Sequence, residues 1–261
     1  MVSTIAITIP VYISAQSHRD LYCEALRSIR TPYPYYYIPV INRLDPEFAP
    51  LEPPSTAPKE VISLPGRQPQ SVAAAWNLGI SKGREYGCDY VLVLNQDVVL
   101  KKTAIDRLVE FAETNPQGTL WSMSTCPSVE QLQNIESIAA VNLSDLFSAF
   151  MVRGSFFDEA GMFDENFVSA YWEDQDMVVR LVLGGKKLLR CPDSLYFHHG
   201  SATIRGDPKV DQQNKPTFLK NAFYFQRKWG YGVVANLSDI PQRYFAHPYD
   251  EKDKPLSYWR T

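Results

Sequence analysis

The sequence predicts an α/β protein with a Rossmann-like, mostly parallel central sheet flanked by helices. Two observations carry this. Short β-branched runs alternate with amphipathic runs from the N-terminus to Thr114. No segment repeats at a fixed period, which sets solenoids and propellers aside.

Ile5 to Val11 is rich in β-branched residues and closes at Pro10, as a strand end does. Ser17 then suits a helix N-cap, with Asp20 three residues on as its capping-box partner. Leu21, Ala25 or Leu26, and Ile29 give that helix an apolar face. Tyr35 to Ile41 reads as a second strand. Seven prolines from Pro46 to Pro69 remove backbone donors and make that region mostly loop, with room for one short strand, Glu60 to Leu64. A helix runs from Pro69 to Tyr86 and stops at Gly87. Tyr90 to Leu94 is a strand, and Thr103 to Thr114 a helix with Ile105, Leu108, Val109 and Ala112 on one face.

The second half is less regular. Leu146 to Val152 is β-capable, Phe156 to Gly161 is a short helix, and Glu173 to Leu183 is a helix stopped by Gly184-Gly185. Leu188-Leu189 and Tyr196-Phe197 read as two short strands, and Pro216 to Trp229 as an aromatic-rich helix.

A chain of 261 residues suits one sizeable domain or two small ones. Its net charge of -3 leaves no cationic footprint for nucleic acid. No apolar run reaches the roughly 20 residues that span a bilayer. MVSTIAITIPVY has no basic leader and reads as a strand, which points to the cytoplasm, with peripheral membrane contact left open. Cys23, Cys88, Cys126 and Cys191 form no CxxC pair and read as packing residues.

Three clusters suggest chemistry. Asn95-Gln96-Asp97 follows an apolar strand. In open α/β sheets ligands bind beyond the carboxyl ends of strands, so Asp97 is a candidate, although Asn and Asp also favour ordinary turns. Tyr171-Trp172-Glu173-Asp174-Gln175-Asp176 places three carboxylates where a helix begins. Capping accounts for one or two of them. A carboxylate ionised there can also serve as a general base. His198-His199-Gly200 places two imidazoles at a turn, and either can ligate a divalent ion. Phosphate-loop, dinucleotide and nucleophile-elbow motifs are missing from the sequence.

Taken together, ITIPVY, the segment SVAAAWNLGISKGREYGCDYVLVLNQDVVL, the segment FMVRGSFFDEAGMFDENFVSAYWEDQDMVVRLVLGGKKL, and HHGSAT with FLKNAFYFQRKWG resemble the GT-A glycosyltransferases, and among them the inverting family 2 group. The resemblance covers roughly residues 3 to 230. It implies a GT-A catalytic domain over 1–230, with a nucleotide-sugar half to about residue 115, an acceptor half with a smaller mixed sheet, and a C-terminal extension, 231–261. It also implies transfer of a sugar from a nucleoside-diphosphate sugar to a hydroxyl of a glycan, or of a lipid- or protein-linked glycan, assisted by Mn²⁺ or Mg²⁺.

Residue by residue, Asp97 matches the last Asp of the family's DxD motif and would contact the metal, with His198 or His199 as a further ligand. Asn95 stands in place of the first Asp and removes one charge. Asp174 matches the Asp of the ED motif and would be the general base. Glu173 would hold the acceptor or the helix start, and Trp172 would offer its face to a sugar ring. Pro10, Val11, Tyr12, Asn42, Arg67, Gln68, Asn77, Asn95 and Gln96 would line the donor site. The family's Asp-Gly-Ser turn after the second strand is replaced by VINRLDPEF. Rhamnosyltransferase-like members share the Asn-x-Asp variant, which makes a deoxyhexose one donor. The other open readings are a sugar-1-phosphate nucleotidyltransferase and a non-catalytic nucleotide-sugar or glycan-binding module.

Overall fold

The structure, a computed structural model, describes residues 3–51, 53–66, 71–138, 146–200 and 208–229, with the backbone alone over 208–215. The strands are β1 (Ile5–Ile13), β2 (Tyr35–Leu44), β3 (Glu60–Val61), β4 (Leu64–Pro65), β5 (Tyr90–Leu94), β6 (Val98–Leu100), β7 (Leu120–Cys126), β8 (Ala149–Arg153) and β9 (Leu188–His198). The helices are α1 (Gln16–Ser28), α2 (Val72–Glu85), α3 (Ala104–Thr114), α4 (Val129–Leu132), α5 (Phe156–Ala160), α6 (Glu173–Leu183) and α7 (Pro208–Trp229).

All nine strands join one sheet in the order β3-β2-β1-β5-β8-β7-β9-β6, with β4 also on β2. Strands β8 and β6 run against the rest. The mixed portion is thus continuous with the parallel portion. Along β1 the alternation is strict. Ile5, Ile7, Ile9, Val11 and Ile13 enter one core with α1 and α3, while Ala6 faces the other with α2, α6 and α7.

Proline positions explain where the strands exceed their expected lengths. β1 runs past Pro10 to Ile13 because its pairing with β5 ends at Thr8 opposite Val93. Beyond that point one side of β1 is an edge, where a missing donor costs nothing. Likewise, β9 is one strand through Pro192, because its register with β7 skips between Ser122 and Ser124 and the proline falls in that irregularity.

The start of α1 departs from the expected capping box. Its N-cap is Ala15, and Asp20 instead accepts a hydrogen bond from the Gln16 side chain at 2.7 Å. Helix α2 is capped by Ser71, whose Oγ accepts from the Ala74 N–H at 3.0 Å. It lies unusually close to the sheet. A Cβ on Gly79 would sit 2.0 Å from Thr8 Oγ1, and one on Gly83 2.6 Å from Val91 Cγ2.

Strand β5 lies mid-sheet, while β6, only Asn95–Asp97 later, is the far edge. The four Cα steps from Leu94 to Val98 reach only about 14 Å at ~3.5 Å each. The sheet must therefore curl until its last strands meet the carboxyl end of β5. That curl brings β9 to the turn after β5. Among the described residues no helix is long and apolar enough to cross a membrane.

Candidate functional site

The carboxyl edge of the parallel strands gathers most of the polar residues expected to act. Asp97 is buried in the turn between β5 and β6. Val98 pairs with His198, and the His199 N–H donates to the Asp97 carbonyl at 3.0 Å. This register turns the His198 ring toward Asp97, with Nε2 3.2 Å from Oδ1. Its Nδ1 lies 3.2 Å from Ser148 Oγ. Ser148 in turn accepts the Asn95 N–H at its carbonyl, 2.9 Å away. A partner on the second imidazole nitrogen fixes ring orientation, as outer-shell partners do at metal sites.

His199 points elsewhere. Its Nε2 meets Glu24 of α1 at 3.1 Å, and its ring packs edge-on against Phe197. Adjacent residues leaving a strand face opposite ways, so only one of the two histidines joins Asp97.

Gln96 ties the turn to β1. Its Oε1 accepts the Tyr12 N–H at 2.7 Å, and its Nε2 donates to the Tyr12 carbonyl at 2.9 Å. Tyr12 and Asp97 are therefore held in fixed relation. Arg43 donates to the Tyr12 hydroxyl at 3.0 Å and lies over its ring. Hydrogen bonds to Asp45, and then to Tyr12, raise the Arg43 pKa, so the guanidinium is a permanent cation at this edge. Sequence reasoning missed Arg43, because the family pattern drew attention to acids after β2. Asn42 lies at the bulge between the Val11 and Tyr12 registers, against Gly66. Pro10 remains partly exposed, whereas Val11 is wholly in the core and supplies packing. Arg67 and Gln68 lie outside the described residues.

Asn77 is placed apart from this edge. Its amide donates to the Phe163 carbonyl and accepts the Phe163 N–H, both at 2.8 Å, and also donates to Glu165 at 3.0 Å. The Asn77-Leu78-Gly79 motif is thus a packing device: Asn77 clamps the segment before α6, and Gly79 admits Thr8.

The N-terminus of α6 reaches the same edge by another route. Ser71 opens α2 just beyond the end of β4, and Ser169 bridges to it, with the Val72 N–H donating to the Ser169 carbonyl at 2.8 Å. Ser169, Tyr171 and Trp172 all have positive φ, at 60°, 79° and 78°. Three such non-glycine residues in four positions mark a backbone held by its surroundings. Asn221 of α7 does the holding. Its side chain accepts the Val168 N–H and donates to the carbonyls of Val168, Ala170 and Tyr171. It was missed in the sequence because a single Asn in an aromatic helix carries no motif.

Trp172 is not the open platform expected. It is 6% exposed and packs on Phe218 and Phe225 of α7, with ring centres 5.6 and 5.2 Å away. Glu173 is buried, and its Oε2 has no hydrogen-bond partner. Desolvation, then the charge of Asp174, pushes its pKa up to about 8. Burial also raises the Asp174 pKa, opposed by the Gln175 N–H, which donates to Oδ1 at 2.7 Å. Asp174 keeps part of its surface open. Burial thus raises both adjacent carboxyls, so the pair favours holding a proton, and Asp174 is the more open of the two. Asp176 is structural. It pairs with Arg180 at 3.0 Å and Lys228 at 2.6 Å, and accepts from Trp229 at 2.9 Å.

An Asp carboxylate and a His imidazole 3.2 Å apart are donor types that fit a divalent cation, and they would supply two of its ligands. Among the described residues no third His, Cys, Asp or Glu joins them.

The sequence matches no known family model and no curated protein. Its fold does match solved structures. The mannosyltransferase PcManGT from Pyrobaculum calidifontis, in complex with GDP-Man and Mn²⁺, aligns over 98% of this chain and 82% of its own at 13% identity, with a TM-score of 0.54. The glycosyltransferase GalNAc-T7, with UDP, GalNAc and Mn²⁺, aligns over 98% of this chain and 57% of its own at 12% identity and a TM-score of 0.49. The chain therefore has a GT-A-like glycosyltransferase fold.

Proposed function

We propose that this chain is an inverting glycosyltransferase that moves a sugar from a nucleoside diphosphate to a hydroxyl of a glycan or glycoconjugate. The supporting observation is that Asp97 meets His198 at the carboxyl edge of the sheet, and Ser169, four residues before Glu173, bridges to Ser71 at the start of α2. Such an edge can face a diphosphate on one side and an acceptor on the other. The shared fold of a mannosyltransferase captured with GDP-Man and Mn²⁺ supports this reading.

In this reading residues up to about 115 form the donor half and 116–230 the acceptor half. The Pro10–Tyr12 edge, with Arg43 over Tyr12, borders the nucleoside. Asp97 and His198 would hold Mn²⁺ or Mg²⁺, which supplies Lewis-acid charge to the leaving diphosphate. Asp174 takes the proton of the acceptor hydroxyl as its oxygen attacks the anomeric carbon. The bond from that carbon to the diphosphate breaks, and its electron pair leaves with the nucleoside diphosphate. Attack opposite the leaving group inverts the centre. Glu173 is buried beside Asp174 and holds the start of α6 rather than meeting the acceptor directly.

The test is release of nucleoside diphosphate from a panel of nucleotide sugars with Mn²⁺ or Mg²⁺ and mixed glycan acceptors. Metal-dependent release, lost in Asp97→Ala and Asp174→Asn, is expected. Pyrophosphate release from a nucleoside triphosphate and a sugar phosphate would instead establish nucleotidyl transfer.

A further inference from the structure

Among the described residues, the exposed large hydrophobic side chains are unevenly placed. Phe218, Leu219 and Phe223 are 40%, 57% and 68% exposed and lie within six positions of α7, while the other two, Val61 and Val182, stand elsewhere. On a helix Leu219 and Phe223 are neighbours at i,i+4. Lys220 and Arg227, both exposed, fall three before and four after Phe223. They flank the apolar stripe on one side. No acidic residue occurs from Pro216 to Trp229. The opposite face of the helix is firmly anchored by Asn221, Phe225, Lys228 and Trp229, all buried. The stripe is thus the outer face of a well-packed helix. It is also continuous with the segment before Glu173, since Phe218 touches Tyr171 at 5.5 Å and Trp172 at 5.6 Å between ring centres.

We propose that this face of α7 docks the protein on an anionic lipid bilayer. Exposed Phe and Leu side chains insert into the headgroup boundary, and flanking cations meet anionic lipid, which is the chemistry of an interfacial helix. Charge complementarity favours the bilayer over a second copy of this chain, because two like faces would oppose Lys220 and Arg227 to themselves. Docking does not depend on the transfer reading. If that reading also holds, the bilayer lies beside the acceptor segment, and the acceptor class is a membrane-anchored, lipid-linked glycan.

The full chain, without substrates, is sedimented with vesicles of pure phosphatidylcholine and with vesicles carrying phosphatidylglycerol. The wild type is expected to pellet with the anionic vesicles. Leu219→Gln/Phe223→Gln, changed at exposed positions, should lower that partition about tenfold or more. Lys220→Glu/Arg227→Glu should abolish the preference for anionic lipid, and raised salt should weaken wild-type binding. A wild type that stays in solution, equal binding to neutral vesicles, or unchanged binding by both variants overturns the proposal. So does a dimer that the Leu219→Gln/Phe223→Gln variant dissolves without any vesicle binding. Donor turnover on a soluble acceptor reports separately on the transfer reading.

Discussion

Asp97 Oδ1, in the turn before β6, and His198 Nε2, at the end of β9, lie 3.2 Å apart, brought together because β6 pairs antiparallel with β9. His199, its chain neighbour, is committed to Glu24. Asp97→Ala and His198→Ala should each lower kcat/KM for metal-dependent nucleotide release at least about 100-fold. His199→Ala removes a partly exposed contact with Glu24 and an edge-on contact with Phe197, and should change it less than about threefold. Steady-state assays across a Mn²⁺ titration check this, and equal losses from both histidines would contradict the assignment.

Asp174 should govern the rising limb of the pH profile. Burial lifts its pKa above the ordinary aspartate value, so kcat/KM rises with pH through that raised value as the carboxylate ionises. Asp174→Asn should cost about 100- to 10,000-fold in kcat and abolish the limb. Donor binding, followed by calorimetry, should survive.

Glu173 gives a stability signature of opposite sense. Between the ordinary carboxylate range and about 8, the folded protein holds a proton that the unfolded chain releases. Stability therefore falls as pH rises through that window. Glu173→Gln keeps the shape of the protonated acid without that ionisation. The melting temperature of the variant should fall less than wild type between pH 5 and pH 8, roughly the span of this window. Parallel pH slopes for the two proteins would show that Glu173 titrates normally.

Asn221 of α7 shapes the segment that leads into α6. Asn221→Ala removes four hydrogen bonds to the backbone of residues 168–171 and should destabilise by about 1–3 kcal/mol. Because the segment leads into Glu173, KM for acceptor should rise more than KM for donor. Equal effects on both would indicate general loosening.

Lys228 bridges Asp164 and Asp176, each at 2.6 Å, in a network that joins α7 to α6. Lys228→Met removes the cation shared by two buried carboxylates, leaving Asp176 with Arg180 and Trp229 and Asp164 with Asn166 and Tyr224. It should cost about 3–5 kcal/mol in urea unfolding. Its charge also holds the Asp164 pKa below the ordinary value against the opposing effect of burial, so the loss should ease at low pH, where Asp164 is protonated.

The parallel strands and amphipathic helices were legible because their patterns are local. Tyr90 to Leu94 and Glu173 to Leu183 fall where periodicity puts them, and Ile105, Leu108, Val109 and Ala112 form the buried face of α3 as expected. Strand β7 was not legible. Its LWSMSTC run alternates with serines, and Ser122 and Ser124 are fully buried because they donate to the Leu146 and Cys191 carbonyls. Those partners are distant in sequence. The choice between His198 and His199 was hidden for the same reason, since it depends on the register with β6. Trp172 was misjudged because nothing near it announces that Phe218 and Phe225 will cover it.

The three-residue link between β5 and β6 has a temporal meaning. Asp97 gains its imidazole only once β9, near the end of the described chain, has entered the sheet. Until then a growing or truncated polypeptide carries that aspartate as a solitary acid. Pairings this remote in sequence form late and slowly. Capture of a cation by Asp97 with His198 would thus be a completion signal, available to the finished sheet and denied to every shorter intermediate.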